Sequence, residues 1–355
     1  MATFKPPPLP TGKDKHHVVV LEAKHVPMPR FDFPHTIDLH PLTKQHEVAE
    51  RIKDATIVIA CVTPVTPADL DVAKHVGCLA IMAVGMAWLN KEEFAKRGVT
   101  VTNCAGANVE AVSEHFLALY FALRKKVVEI DRTVKETDEW RQEGTVTNHW
   151  ESRKPPPGCG QEVLGILGYG TIGKRIALLG KALGFAEILI ADRKGATAEA
   201  TKEGRTPFDE VVKRSSTLAV CAPLTKDTVD LISESELQSM RKEALVINLA
   251  RGGIVNEAAL ARALTSGQVA GAATDVLETE PGGPGSTPLL PDLSKGEPAI
   301  PNFVISPHIA WFTQVTIINY QQMLKEGVER WVAGSLIQDG KVIHAVCIHD
   351  GKIYR

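Results

Sequence analysis

The segment "EVLGILGYGTIGKRIA", residues 162–177, carries three glycines between an apolar run and the start of a helical pattern. Gly168 permits a tight turn after a strand, Gly170 lets a ligand approach the backbone, and Gly173 lets the helix pack closely on the strand. The first N–H groups of such a helix have no partner within it and attract an anion. The segment therefore predicts a dinucleotide-binding strand, turn and helix, with the pyrophosphate at Thr171 and Ile172.

An acidic residue, Asp192, ends the next apolar run, "EILIAD". A carboxylate at this position accepts hydrogen bonds from the hydroxyls of an adenosine ribose and repels a 2′-phosphate, which favours NAD. Arg193 and Lys194 follow it directly. Since a basic side chain there can pair with a 2′-phosphate, NADP stays open as the alternative cofactor.

Strand and helix patterns alternate on both sides of this segment. The apolar runs include "HHVVVLEA", "ATIVIACV", "CLAIMAVG" and "VTVTNC" before it, and "TLAVCAPL", "ALVINLA", "VAGAATDV" and "NFVIS" after it. Such alternation predicts parallel sheets covered by helices on both faces. We therefore expect an α/β protein with two doubly wound parallel-sheet domains. A longer pattern predicts one helix over about 109–135, and another over about 313–335 should return the chain to the first domain.

Composition excludes several classes of partner. The 355 residues suit two domains, and 40 basic against 42 acidic residues give a formal net charge of −2, without a charged run for nucleic acid or an anionic membrane. The six cysteines are scattered, which is typical of reduced thiols, and the histidines lack metal-ligand spacing. The first residues lack the apolar core of a signal peptide, and no window approaches ~18 apolar residues. We expect a cytoplasmic protein with no resident metal.

Five ordered motifs carry a more specific signal: "GYGTIG", "APLTKDT", "INLARGGIVNEAAL", "GAATDVLETEP" and "SPHIAW". In these motifs the sequence resembles the D-isomer-specific 2-hydroxyacid dehydrogenase family, in particular glyoxylate and hydroxypyruvate reductases, over about residues 55–335. The resemblance implies a flavodoxin-like substrate domain (1–107 and 313–355), a Rossmann NAD-binding domain (108–312) and a homodimer. It also implies hydride transfer between NAD(H) and a D-2-hydroxy acid or 2-oxo acid.

The resemblance further implies a catalytic set. Arg251, in "LARGG", would bind the substrate carboxylate and polarise the adjacent carbonyl. His308, behind a proline at a strand end, would transfer the proton, because an imidazole titrates near neutral pH. Glu280 would hold the other ring nitrogen of His308; Glu278 competes, but the family position is the glutamate before Pro281.

Other residues are implied around the ligands. The N–H groups of Val84 and Gly85 would meet the substrate carboxylate, while Asn108 and Val112 would face the nicotinamide or the substrate. The apolar neighbours of Cys221 favour an inert buried thiol over a nucleophile. The implied cofactor-binding residues are Val112, Gly168, Gly170, Thr171, Ile172, Gly173, Asp192, Arg193, Cys221, Pro223, Thr228, Ala250, Asp275 and Ala310, with Asp275 accepting from the nicotinamide amide.

Two other functions share these motifs. Formate dehydrogenases resemble the sequence at Asp192 and Arg193, but usually carry glutamine where Glu280 stands, since formate oxidation needs no proton transfer. The "HIAW" ending also resembles the C-terminal-binding-protein corepressors, NAD-sensing dimers that keep a similar catalytic set. After "AVG" the chain has "MAWLN" where relatives commonly have a "GVDNID"-like run. The sequence therefore does not decide which 2-oxo acid is preferred.

Overall fold

The computed structural model describes residues 8–150, 153–197, 199–338, 341–343 and 345–354. The strands, in chain order, are β1 (His16–Val20), β2 (His35–Leu39), β3 (Ile57–Ala60), β4 (Cys78–Ile81), β5 (Thr100–Asn103), β6 (Val163–Leu167), β7 (Glu187–Ile190), β8 (Thr217–Val220), β9 (Leu245–Asn248), β10 (Gly271–Thr274), β11 (Phe303–Ile305), β12 (Ile337–Gln338), β13 (Lys341–Val342), β14 (Val346–His349) and β15 (Lys352–Ile353). The α-helices are α1 (Val48–Ile52), α2 (Pro67–Val72), α3 (Lys91–Lys96), α4 (Val109–Arg124), α5 (Val127–Glu136), α6 (Glu139–Glu143), α7 (Thr171–Ala182), α8 (Phe208–Arg214), α9 (Glu234–Ser239), α10 (Glu257–Thr265) and α11 (Gln314–Val332).

The chain divides into two compact units, one up to Asn108 and from Phe312 onward, the other Val109–Trp311. The first unit has a seven-stranded sheet in the order β15-β14-β5-β4-β3-β1-β2. Its strands β1 to β5 pair in parallel in the flavodoxin order, which confirms the predicted fold class.

The edges of this sheet were not predicted from the sequence. β14 pairs antiparallel with β5, and β15 pairs antiparallel with β14. At the other edge, β2 alternates intermediate and exposed residues and lacks the apolar run that marks a buried strand. Helices α1 to α3 pack on one face of the sheet around Phe94. Helix α11 packs on the other face so closely that a Cβ added to Gly327 would lie 3.2 Å from the Thr102 side chain. Helices thus cover both faces.

The second unit has a six-stranded parallel sheet in the order β11-β10-β9-β8-β6-β7. Beyond β7, a parallel bridge joins Ala191 to Thr206. This bridge occupies the position of the third strand in the dinucleotide-binding sheet. Val246 packs among residues on one face of this sheet, while its neighbours Leu245 and Ile247 pack on the other. The predicted Rossmann sheet, with all six predicted strands, is confirmed.

The prediction of one helix over 109–135 is wrong, because the helix is interrupted between α4 and α5. Lys126 has a φ of 49°, and a left-handed residue cannot continue the helical hydrogen-bond ladder. Before the break, α4 buries apolar residues such as Phe116 and Tyr120, and the buried Arg124 ends this stretch; after it, α5 buries no residue. Among the described residues, no helix has the length and apolar character needed to cross a membrane.

Candidate active site

The glycine turn between β6 and α7 leaves room for a ligand. Gly168 has a φ of 93° and lies against the backbone of Ala222, where a Cβ would overlap with main-chain atoms. A Cβ on Gly173 would overlap with the carbonyl of Gly168, whereas one on Gly170 would meet nothing within 4 Å. The first helical hydrogen bond runs from the N–H of Lys174 to the carbonyl of Gly170. The N–H groups of the preceding residues, Thr171 among them, therefore point out of the helix end and fit a pyrophosphate.

The acidic residue after β7 is held by its own loop. Asp192 accepts hydrogen bonds from the N–H groups of Lys202 and Arg193, at 2.8 Å each. These bonds, led by that from Lys202, lower the pKa of Asp192 and keep it ionised. Lys194 forms an ion pair of 2.9 Å with Glu236, whereas the exposed side chain of Arg193 has no ion pair or hydrogen bond within the described part of the chain. Of the two basic residues, only Arg193 is therefore available for a 2′-phosphate.

The loop "APLTKDT" lies beside the glycine turn. The N–H of Cys221 donates to the carbonyl of Leu167 at 2.7 Å, and burial raises the pKa of the Cys221 thiol to about 12. The hydroxyl of Thr228 donates to the carbonyl of Pro223 at 2.7 Å and accepts from the N–H of Thr225 at 2.7 Å. Thr228 thus stabilises its own loop through these hydrogen bonds. Because the raised pKa keeps its thiol protonated, Cys221 is inert as a nucleophile.

Arg251 follows β9, where Asn248 fixes the backbone. The amide of Asn248 accepts from the N–H of Ala250 at 3.0 Å and donates to the carbonyl of Arg251 at 2.9 Å. The next residue, Gly252, packs so tightly on the backbone of Leu277 that a Cβ would overlap with it. This contact brings the segment that carries Arg251 against the segment that carries Glu280.

His308 and Glu280 form a close pair, with 2.6 Å between Nδ1 and Oε2. The other carboxylate oxygen of Glu280 accepts from the N–H of Leu277 at 2.9 Å. Burial raises the pKa of Glu280, but the hydrogen bonds from His308 and Leu277 and the charges of His308 and Arg251 outweigh it, so the net shift is downward. The competing Glu278 instead donates its N–H to Glu257 at 2.7 Å. The structure therefore brings His308, Glu280 and the charge of Arg251 together.

The turn that carries His308 depends on Asp275. His308 has a φ of 51°, and its N–H donates to the carbonyl of Asp275 at 2.8 Å. The Asp275 carboxylate, 3% exposed, accepts from the N–H groups of Ile309 at 2.9 Å and Ala310 at 3.0 Å. Trp311 donates its indole N–H to the carbonyl of His308 at 2.9 Å. Asp275 thus stabilises the turn that carries His308, a role that the sequence did not indicate.

Sequence reasoning did not single out Ser306 or His115, although both side chains reach this turn. The available signals were weak: Ser306 directly precedes Pro307, and His115 interrupts the apolar face of α4.

The remaining predicted residues lie in the first unit or in a core. Val84 and Gly85 follow β4, and their N–H groups donate to no group within the described residues. The Oδ1 atom of Asn108 is buried without a hydrogen-bond partner in the described part of the chain, which fits a ligand at that position. Val112, 4% exposed, packs in the core beside Phe116. Within the described ranges, no three His, Cys, Asp or Glu side chains are grouped to hold a metal.

Comparison with known proteins places this geometry in a family. Residues 117–310, more than half of the chain, match the model of the D-isomer specific 2-hydroxyacid dehydrogenase NAD-binding domain. A putative 2-hydroxyacid dehydrogenase of Haemophilus influenzae is 31% identical over 315 residues, covering 87% of this chain and 94% of that protein. A glyoxylate reductase of Aeropyrum pernix is 35% identical over 274 residues, covering 75% of this chain and 76% of that protein.

The fold is also that of solved structures. The crystal structure of a D-lactate dehydrogenase from Aquifex aeolicus, complexed with NAD and lactic acid, has a TM-score of 0.72 at 22% identity and covers 92% of this chain and 99% of its own. Because the family model and relatives above 30% identity both span most of the sequence, the assignment does not depend on fold alone. The chain belongs to the NAD-binding D-isomer-specific 2-hydroxyacid dehydrogenase family.

Proposed function

We propose that the protein reduces a 2-oxo acid to a D-2-hydroxy acid reversibly, with NADH as the preferred cofactor. The observation that carries this proposal is the 2.6 Å pair of His308 and Glu280, next to the charge of Arg251. An imidazole held by a carboxylate and a nearby guanidinium are the groups that carbonyl reduction in a carboxylic acid needs.

Arg251 binds the substrate. Its planar guanidinium holds both oxygens of a carboxylate and places positive charge beside the neighbouring carbonyl, where negative charge develops during reduction. The backbone N–H groups of Val84 and Gly85 are proposed as further donors to the substrate carboxylate, because no described group uses them.

His308 moves the proton. Its Nδ1 faces Glu280, and its side chain is 43% exposed, so Nε2 is accessible to the oxygen of a small substrate. In reduction the ring gives its Nε2 proton to that oxygen, and in oxidation it takes the hydroxyl proton back. Glu280 keeps the ring oriented throughout.

The cofactor is held by the second unit. The glycine turn with Thr171 and Ile172 would bind the pyrophosphate, and Asp192 would bind the adenosine ribose. A bound nicotinamide supplies the hydride in reduction and takes it in oxidation. The loop at Cys221, Pro223 and Thr228, together with Ala250 and Ala310, would line this site, and Asp275 would face the nicotinamide amide. NADPH binding would depend on Arg193.

Two rival functions make different demands. Formate oxidation transfers hydride without a proton, so it has no use for the carboxylate of Glu280 on His308. A corepressor would bind NAD for dimerisation and need no turnover. The pairing of Glu280 with His308 supports the hydroxyacid reaction over formate oxidation. Turnover with a 2-oxo acid is what separates the hydroxyacid reaction from the corepressor function, because those corepressors keep a similar catalytic set.

We also propose a cytoplasmic homodimer. Phe116 and Tyr120 of α4 are buried within their own unit, but exposed apolar side chains lie on the next two helices. These are Val127, Val128, Val134 and Trp140. The six cysteines are all free thiols, which supports a reducing compartment. A sedimentation mass near 38.4 kDa, that of a single chain, would contradict the dimer.

The test is a screen of about a dozen 2-oxo acids, including glyoxylate, hydroxypyruvate and pyruvate, with NADH and NADPH. We expect turnover with at least one acid, faster with NADH, and its near loss in His308→Gln while cofactor binding, measured by fluorescence, persists. Absence of turnover with every acid would favour the corepressor function, and oxidation of formate would favour the other rival. A preference for NADPH would mean that Arg193 outweighs Asp192.

A further inference from the structure

The turn that carries His308 is held in an unfavourable backbone conformation. A non-glycine residue in the left-handed region persists only where the surrounding structure over-determines it. Asp275 supplies part of that constraint, since its carbonyl and carboxylate accept the N–H groups of His308, Ile309 and Ala310. The direction of the His308 ring therefore depends on the orientation of the Asp275 side chain.

A second layer orients Asp275. The hydroxyl of Ser306 donates to Oδ1 of Asp275 at 2.6 Å, and Nε2 of His115 lies 2.8 Å from the same hydroxyl oxygen. A serine hydroxyl has one proton, and Asp275 takes it. His115 must therefore donate its Nε2 proton to Ser306, and this nitrogen also lies 3.8 Å from Oδ1 of Asp275.

This series of hydrogen bonds begins on a helix that is fixed in the core. His115 is on α4, and its neighbour Phe116 is fully buried in the core formed by α4, α7 and the sheet. The His115 side chain is 24% exposed, so its ring is held between this core and the turn. A displacement of Ser306 or Asp275 would have to break the hydrogen bond to a fixed helix.

We propose that His115 is a positioning residue for the reaction, which, through Ser306 and Asp275, fixes the turn that presents His308. This inference rests on the proposed function. His115 touches neither the substrate nor the reacting atoms; it acts by keeping the proton-transfer ring in place. A role in packing alone would make different predictions, which the following measurements separate.

The kinetic test uses variants of His115 whose side chains differ in length and in the ability to donate to Ser306. Glutamine places its amide nitrogen near the Nε2 position of histidine and can donate to Ser306, whereas asparagine falls short. We expect His115→Ala and His115→Asn to lower kcat about 10- to 100-fold with little change in KM, and to raise the solvent deuterium isotope effect on kcat. His115→Gln should retain most of the activity. Glu114→Gln, an exposed neighbour on α4, is the matched control and should behave as wild type.

These outcomes distinguish positioning from packing. If His115→Ala keeps the wild-type kcat and isotope effect, the inference is wrong. It is also wrong if all three His115 variants lose activity only in proportion to their unfolded fraction, measured by circular dichroism, because that is the behaviour of a residue that only packs.

Amide hydrogen exchange tests the same inference without turnover. In His115→Ala and Ser306→Ala, the N–H groups of His308, Ile309 and Ala310 should exchange about tenfold faster, while the amides of β6 keep their protection. Failure of the wild-type protein to reduce any 2-oxo acid would refute the proposed function and leave this measurement valid. Unchanged exchange at the turn would refute the role of His115 even in an active reductase.

Discussion

Gly252 offers a test of how closely the segments of the site must approach each other. In Gly252→Ala the new Cβ would lie within 3.0 Å of the carbonyl group of Leu277 and of the nitrogen of Glu278, whereas ordinary contact begins at 3.4 Å. None of these atoms is the end of a flexible side chain, so the backbone itself must shift. The N–H of Leu277 holds Glu280, which will therefore move with it.

The size of the shift sets the expected effect. Relief of the overlap requires roughly 1 Å, and a misplacement of that size in a catalytic group costs about 100-fold. The same shift would lengthen the 2.6 Å bond between His308 and Glu280 beyond hydrogen-bonding distance. Overpacking should also lower the free energy of unfolding by about 1–3 kcal/mol.

The assay is steady-state reduction of the best 2-oxo acid, with denaturant unfolding and cofactor binding measured in parallel. We expect kcat to fall about 100-fold while the cofactor still binds. Gly283→Ala is the control, because a Cβ there meets nothing within 4 Å and the glycine has no positive φ. A Gly252→Ala enzyme with the wild-type kcat would refute the argument that the contact with Leu277 positions Glu280.

Three other predictions address stability, pH and substrate binding. Glu162→Gln removes the counter-ion 2.6 Å from the buried Arg124, and should lower the free energy of unfolding by about 3–5 kcal/mol in guanidinium titrations; a loss below 1 kcal/mol would show that the pair is dispensable. The hydrogen bond that His149 donates to Glu129 outweighs burial and raises the pKa of His149 above 6.5. The stability that this bond adds to the fold is therefore complete below pH 6.5 and is lost as pH rises through the raised pKa. The amide protection factors of α5 and α6, which are corrected for the intrinsic pH dependence of exchange, should fall over that window in the wild type and show no such step in His149→Gln. Arg251→Lys should lower kcat/KM on the order of 100-fold, because an ammonium cannot hold both carboxylate oxygens in one plane; an unchanged value would exclude Arg251 from the site.

Local patterns sufficed for much of the fold. The glycines at 168, 170 and 173 impose their turn through backbone sterics, and the apolar runs alternate with helical patterns because each element buries one or both faces. The same patterns missed β14, whose partner β5 lies far away in the sequence. They also missed the break at Lys126, since the sequence continues to look helical on both sides of it.

For the candidate site, the sequence indicated the residue types and the ends of strands on which they lie. It could not distinguish Glu280 from Glu278 by spacing alone, and it did not connect His115 to the turn at His308. Only the packed structure decides these points. Gly252 packs the loop after β9 against the backbone of Leu277, and α4 places His115 beside Ser306.

The sequence by itself determined the strand and helix order, the nucleotide-binding turn and the chemical groups available to the site. Backbone preference and burial periodicity are local properties, so they can be inferred from neighbouring residues. Tertiary structure alone decided which carboxylate meets His308 and what holds the turn that carries it. Those contacts join segments far apart in the chain, and their distances follow from the packing of whole elements against each other.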